Sequence, residues 1–175
     1  MQKYVAFLRA INVGGTSIIK MDVLRKHFES FGLENVQTYI QTGNVIFETK
    51  ETNASRLAAK IETQLEKALG YKVVVILRTM QEVVSIVDNS PFEPKENETV
   101  HIVFLHKKPG NQAGRELLTH NSKADEFILK GSEVYNLRRD RDASVFSNQF
   151  IEKVLGIPAT TRNQTTIRKI AEKYK

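Results

Sequence analysis

The chain has 175 residues, with 26 Lys or Arg against 20 Asp or Glu and a formal charge of +6. At about 100–200 residues per domain this allows one domain or two small ones. The absence of Cys excludes disulfides, thiolate metal sites and a cysteine nucleophile. No apolar run approaches the ~20 residues of a membrane helix, and Arg9 cuts short the apolar start before it reads as a leader. The expectation is a cytoplasmic protein without membrane attachment, whose basic balance favours anionic partners.

In chain order, Tyr4 to Ile11 reads as a strand, apolar apart from Arg9. Residues 12–17 form a loop, because the paired Gly14 and Gly15 break both regular structures. Met21, Leu24, Phe28 and Phe31 recur at helical spacing, and Gly32 suits a left-handed helix end. Val36 to Ile40 and Val45 to Phe47 are short strands joined through Thr42-Gly43-Asn44 as a hairpin. Leu57, Ile61, Leu65 and Leu69 make one stripe of a second helix, closed by Gly70. Val73 to Leu77 is a continuous apolar run, as expected of a strand buried on both faces. Thr79 and Glu82 have capping-box spacing and open a helix through Val83, Val84 and Val87.

The polar stretch Pro91 to Glu98 is the best boundary, dividing the chain into 1–90 and 91–175. Beyond it, Val100 to Leu105 is a strand and Arg115 to Leu118 lies in a short helix. Phe127 to Leu129 and Val134 to Leu137 flank a hairpin turn at Gly131-Ser132. Phe146, Phe150, Ile151, Val154 and Leu155 make a helix ended by Gly156 and Pro158, and Ile167, Ile170, Ala171 and Tyr174 mark the last one. The first half reads β-α-β-β-α-β, the split βαβ order of ferredoxin-like folds. The second reads β-α-β-β-α-α. The expected class is therefore α+β, with two ferredoxin-like (βαββαβ-type) subdomains packed together, the second incomplete, and an extra C-terminal helix.

Four segments, residues 9–15, 38–45, 77–79 and 158–163, resemble the bacterial domain-of-unknown-function 1697 family, and the likeness runs from the first strand to the last helix. Their sequences are Arg9-Ala10-Ile11-Asn12-Val13-Gly14-Gly15, Thr38-Tyr39-Ile40-Gln41-Thr42-Gly43-Asn44-Val45, Leu77-Arg78-Thr79 and Pro158-Ala159-Thr160-Thr161-Arg162-Asn163. The resemblance implies a two-part α/β architecture built on ferredoxin-like units, and no activity. Gln164 stands where the family pattern carries an aromatic residue, so no stacking role transfers to that position.

A 4-1-3-2 strand order in the first half brings the end of the first strand and the hairpin 40–45 to the same sheet edge. Arg9, Asn12, Gly14, Gly15, Lys20, Gln41 and Asn44 then surround one loop. Backbone N–H groups at Gly14 and Gly15 and the charge of Lys20 converge there beside the positive end of the next helix, an arrangement suited to an anion. The plainer alternative is that the glycines and Asn44 only make tight turns. The segment is not a P-loop, since the G-x-x-x-x-G-K-[ST] spacing is missing. Arg78, at the end of the antiparallel fourth strand, falls beside Tyr4 or Val5, away from Arg9. Arg162 and Asn163 precede the last helix, where Thr160, Thr161 or Asn163 caps it or an anion binds.

The first strand is apolar on both faces, so the second half or a partner subunit is expected to cover the face away from its own helices. The four histidines, His27, His101, His106 and His120, have no metal-ligand spacing, and neither a metal nor a cofactor is expected. No nucleophile elbow occurs. The favoured function is binding of a small anionic, phosphate- or carboxylate-bearing metabolite at the loop edge or between the halves, with catalysis left open. The alternatives are an RNA-binding module using Phe47 and Tyr39 for stacking, although its aromatic signature is missing, and a non-catalytic interaction protein that forms homodimers.

Overall fold

Tyr4, Ala6 and Leu8 alternate with Val5 and Phe7, giving a strand with two apolar faces, and β1 (Gln2–Leu8) forms there. The computed structural model describes residues 1–9, 11 and 18–175. After β1 come α1 (Met21–Ser30), β2 (Glu34–Thr38), β3 (Asn44–Thr49), α2 (Ala54–Leu69), β4 (Val75–Thr79) and α3 (Met80–Asp88). They are followed by β5 (Thr99–Leu105), α4 (Asn111–Leu118), β6 (Asp125–Lys130), β7 (Glu133–Arg138), α5 (Asn148–Leu155), β8 (Ala159–Asn163) and α6 (Gln164–Tyr174). The described residues thus form a mixed α+β fold with two four-stranded antiparallel sheets, ordered β2-β3-β1-β4 and β6-β7-β5-β8. The chain divides into two compact units, residues 1–85 with 170–175, and residues 86–169.

Local chemistry sets most of the helix ends. Asn53 caps α2 by accepting the Arg56 N–H at 3.0 Å, and Gly70 ends it in the left-handed region at φ 81°. Thr79 and Glu82 form the reciprocal capping box that their spacing predicts: the Thr79 N–H donates to Glu82 Oε2 at 2.7 Å and the Glu82 N–H donates to Thr79 Oγ1 at 3.2 Å. This satisfies two backbone donors that a helix start otherwise leaves open. Ser147 caps α5 through the Phe150 N–H, so α5 begins after Phe146 rather than at it.

In the first unit Tyr4, Ala6 and Leu8 pack with Val45, Phe47, Val75 and Leu77 against Leu24 and Phe28 of α1 and Leu57, Ile61 and Leu65 of α2. The opposite face is equally dry: Val5, Phe7, Ile46 and Ile76 are all buried. A sheet covered on both faces tolerates a run of apolar residues without polar alternation, which is how residues 73–77 read. The strand is shorter than its apolar pattern suggests. It ends at Leu8, the chain turns at Arg9, and Ile11 joins Tyr4, Ala6 and Leu8 in the helix-side core instead of continuing the Val5 and Phe7 face. Arg78 lies opposite Val5 in the β1–β4 ladder, where the antiparallel register puts it.

The second unit repeats the element order. Val103, Leu105, Phe127, Val134 and Ala159 pack against Leu117 of α4 and Ile151 and Leu155 of α5. Ile102, Phe104 and Tyr135 on the other face are also buried. The expectation that this half lacks a closing strand is corrected: β8 pairs antiparallel with β5, from Leu105↔Ala159 to His101↔Asn163. Its sequence, Ala-Thr-Thr-Arg-Asn, carries no apolar run and so reads as a capping segment. The β-branched threonines fit a pleated ladder, and Ala159, Thr160 and Arg162 are buried in it.

Candidate functional site

The hairpin joining β2 to β3 is built around two left-handed residues, Ile40 at φ 50° and Gly43 at φ 76°. Gly43 is required twice over: its φ of 76° lies in the left-handed region, and a side chain there would meet Ile11 Cγ2 at 2.5 Å. Its carbonyl accepts the Leu8 N–H at 2.9 Å. Ile40 is different, because a β-branched side chain in the left-handed region carries real strain, and here that side chain is 48 % exposed.

Gln41, next to Ile40, donates from Nε2 to the carbonyl of Ile19 at 3.0 Å. This ties the hairpin to the C-terminal end of the β1–α1 connection, next to Lys20. Lys20 is exposed and extended (φ −69°, ψ 141°) at the N-cap of α1, where it makes no side-chain cap. Ile18, one residue before Ile19, is 66 % exposed. The hairpin and the loop therefore meet at one edge, with Lys20, Gln41 and two exposed apolar side chains. Asp22 in the first turn of α1 occupies part of the favourable field at that helix start.

The other sequence-derived candidates fall as follows. Arg9 is half-buried at the end of β1 with its N–H donating to the Val74 carbonyl at 2.9 Å. Asn44 is fully buried, and its Nδ2 donates to the Tyr39 carbonyl at 3.0 Å and to Thr42 Oγ1 at 2.8 Å, so both amide hydrogens bind the hairpin itself. Asn12, Gly14 and Gly15 lie outside the described residues. Arg162 and Asn163 belong to the second unit. Arg162 is buried in β8, where Nη1 donates to Thr160 Oγ1 at 2.7 Å and to the Thr161 carbonyl at 2.9 Å, and burial pushes its guanidinium down to about 10. Asn163 accepts the Thr165 N–H at 2.9 Å, a cap for the start of α6. Gln164 is buried and accepts from Ser90 Oγ.

A polar chain that the sequence did not signal crosses the helix side of the second sheet. Asp125 is fully buried. Its Oδ1 accepts from Asn136 Nδ2 at 3.0 Å and from Ser144 Oγ at 2.8 Å, and its Oδ2 accepts the Val145 N–H at 2.8 Å. Asn136, also fully buried, turns its Oδ1 to His101 Nδ1 at 3.2 Å. Phe146 stacks on the His101 ring, centroids 4.7 Å apart. Burial is the main influence holding His101 below its usual imidazole range, with Arg138 acting the same way and Asn136 and Asp125 opposing. The signal available in the sequence was weak: a His, an Asn and an Asp on three different segments that meet only through the β5–β7–β6 register. Among the described residues no group of three or more His, Asp or Glu side chains could hold a metal ion, and no helix is long and apolar enough to cross a membrane.

A family model described as "Protein of unknown function (DUF1697)" matches residues 1–135. No curated protein matches the chain. Among solved structures, the conserved bacterial protein SP0830 from Streptococcus pneumoniae is similar over 98 % of this chain and 97 % of that one, with a TM-score of 0.77 and 20 % identity. At that identity the likeness concerns the fold.

Proposed function

The chain belongs to the DUF1697 family, and from that premise we propose that it binds a small anionic metabolite, phosphate- or carboxylate-bearing, at the edge where the β1–α1 connection meets the β2–β3 hairpin. The observation that carries this reading is Ile40: an exposed β-branched residue held at φ 50°. Strain of this kind costs about 1–3 kcal/mol and persists where the surroundings impose it, most often at ligand sites. Lys20 supplies positive charge at the same edge, Gln41 fixes the hairpin to Ile19, and exposed Ile18 and Ile40 offer apolar contact to the body of a ligand. We read both units as ferredoxin-like, in support of which each sheet has the order 2-3-1-4 when its strands are numbered within the unit. In such folds the loops at one sheet edge are free to differ while the sheet stays fixed. Of the two stacking residues of the RNA-module alternative, Phe47 is fully buried and cannot stack on bases, while Tyr39 is half-buried and packs edge-on against Tyr174, so the anion reading is favoured.

The test is thermal unfolding of the full chain against inorganic phosphate, pyrophosphate, sugar phosphates, nucleotides and dicarboxylates. A ligand at 100 times its dissociation constant adds about 2.7 kcal/mol, and at about 2–4 °C per kcal/mol for a chain of this size a rise of roughly 5–10 °C is expected. Lys20→Ala reduces that rise without changing the unliganded midpoint. Ile40→Asn, better suited to the left-handed region, raises the unliganded midpoint and weakens the ligand response. A panel in which no compound moves the midpoint by more than about 1 °C removes the proposal.

A further inference from the structure

The Asp125–Asn136–His101 chain lies in the second unit and uses none of the residues of the loop-edge reading. A carboxylate acts only as an acceptor, so the Asn136 nitrogen faces Asp125 and the Asn136 oxygen faces His101. That oxygen accepts only a proton-bearing nitrogen, which makes Nδ1 the protonated atom of neutral His101 and leaves Nε2 with its lone pair. Among the described residues Nε2 has no hydrogen-bond partner, and His101 as a whole is half-buried. Phe146 stacks on the ring and is itself held in place through Asp125, which binds the neighbouring Ser144 hydroxyl and Val145 N–H. Across β8 the paired residue is the neutral Asn163. Arg138, two residues along β7 from Asn136 and so on the same face, stands opposite Thr99 of β5 and Asp125 of β6 in the ladders and is half-exposed; Asp125 and Arg138 are the charged groups acting on His101.

We propose that His101 Nε2 is the proton acceptor of a second site, taking the proton of a hydroxyl on a small substrate whose anionic group is held by Arg138. The O–H bond breaks with its electron pair left on the substrate oxygen, and Nε2 gains the proton. The resulting imidazolium keeps its Nδ1–H on Asn136, whose polarity Asp125 supports, and the proton returns to product or solvent. Asn136 and Asp125 are positioning residues: they select the tautomer and touch no substrate. Burial of the ring works in the same direction, since a base held below the usual imidazole range is already deprotonated at neutral pH.

The full chain with 15N-labelled histidine tests this by long-range proton–nitrogen spectra between about pH 4.5 and 8, the range around the imidazole value. The expected result is that neutral His101 carries its proton on Nδ1 by about tenfold over Nε2, the ratio that about 1.4 kcal/mol sets. Asn136→Leu abolishes that preference. Diethyl pyrocarbonate, which acylates a bare imidazole nitrogen, modifies His101 at neutral pH, and Asn136→Leu slows the modification several-fold. Inorganic phosphate raises the His101 midpoint in the natural chain, because a bound dianion favours the imidazolium, and has no such effect in Arg138→Gln. A proton found on Nε2, or a His101 that stays unmodified while exposed His106 reacts, overturns the base assignment. An absent phosphate response overturns the anionic substrate. If Asn136→Leu does not fold, the tautomer in the natural chain decides alone.

Discussion

At the scale of single residues, two glycines with nearly the same backbone differ in what surrounds them. Gly43 and Gly70 sit at φ 76° and φ 81°, but a Cβ on Gly43 would overlap Ile11 Cγ2 at 2.5 Å, whereas Gly70 faces open space. The left-handed penalty of about 1–2 kcal/mol applies to both, and overpacking of about 1–3 kcal/mol applies only to Gly43. Gly43→Ala is therefore expected to destabilise by about 2–5 kcal/mol and Gly70→Ala by about 1–2 kcal/mol, measured by urea unfolding. His101 gives a prediction in pH. Its folded value lies below the usual 6.5, so the unfolded chain takes up the proton first as pH falls. The stability linked to it is complete above about pH 6.5 and is lost as pH drops towards the folded value. Unfolding midpoints of the natural chain should fall more steeply on acidification below about pH 6.5 than those of His101→Gln. Equal slopes would remove His101 from the account of acid sensitivity.

At the scale of elements, caps were legible and the polar strand was not. The Thr79–Glu82 spacing announces a helix start because two side chains must reach two particular backbone donors, a requirement that fixes residue type and distance together. Ser147 caps α5 by a single bond, from the Phe150 N–H, with no reciprocal side chain to announce it in the sequence, and Ser147→Ala is expected to cost about 1 kcal/mol, read as a lowered midpoint with an unchanged denaturant slope. An unaltered midpoint would show that the packing of Ile151 and Leu155, and not the cap, holds that helix. Strand β8 is not visible in its own residues, which look like turn formers, because its identity comes from its neighbour: the β5 ladder supplies its hydrogen bonds and the core receives Ala159. Likewise Phe146 has the apolar spacing of α5, although the Ser147 cap excludes it from the helix and its ring goes to His101.

At the scale of the whole molecule, the two sheets share one strand order although no residue-level repeat is visible. Equivalent positions carry the likeness instead. Arg78 pairs with Val5 and Arg162 with Ile102, and each arginine donates from Nη1 to the carbonyl of the residue before it, at 2.8 Å and 2.9 Å. The first sheet was readable because β1, β3 and β4 carry apolar runs and its hairpin carries Gly43 and Asn44. The second was only partly readable because polar Asp125, Asn136 and Arg162 are buried in it, and a pattern of hydrophobicity cannot register buried polar groups whose partners are distant in sequence. The same limit hid the His101 chain, while the loop edge showed through its turn residues. The central claim is that an anion binds at that edge, and amide chemical-shift mapping of the full chain during titration with inorganic phosphate and the best compound of the panel tests it most directly. The account predicts saturable shifts centred on Lys20, Gln41, Thr42 and Gly43, and their loss in Lys20→Ala. Saturable shifts confined to other residues, or none at all, would contradict it.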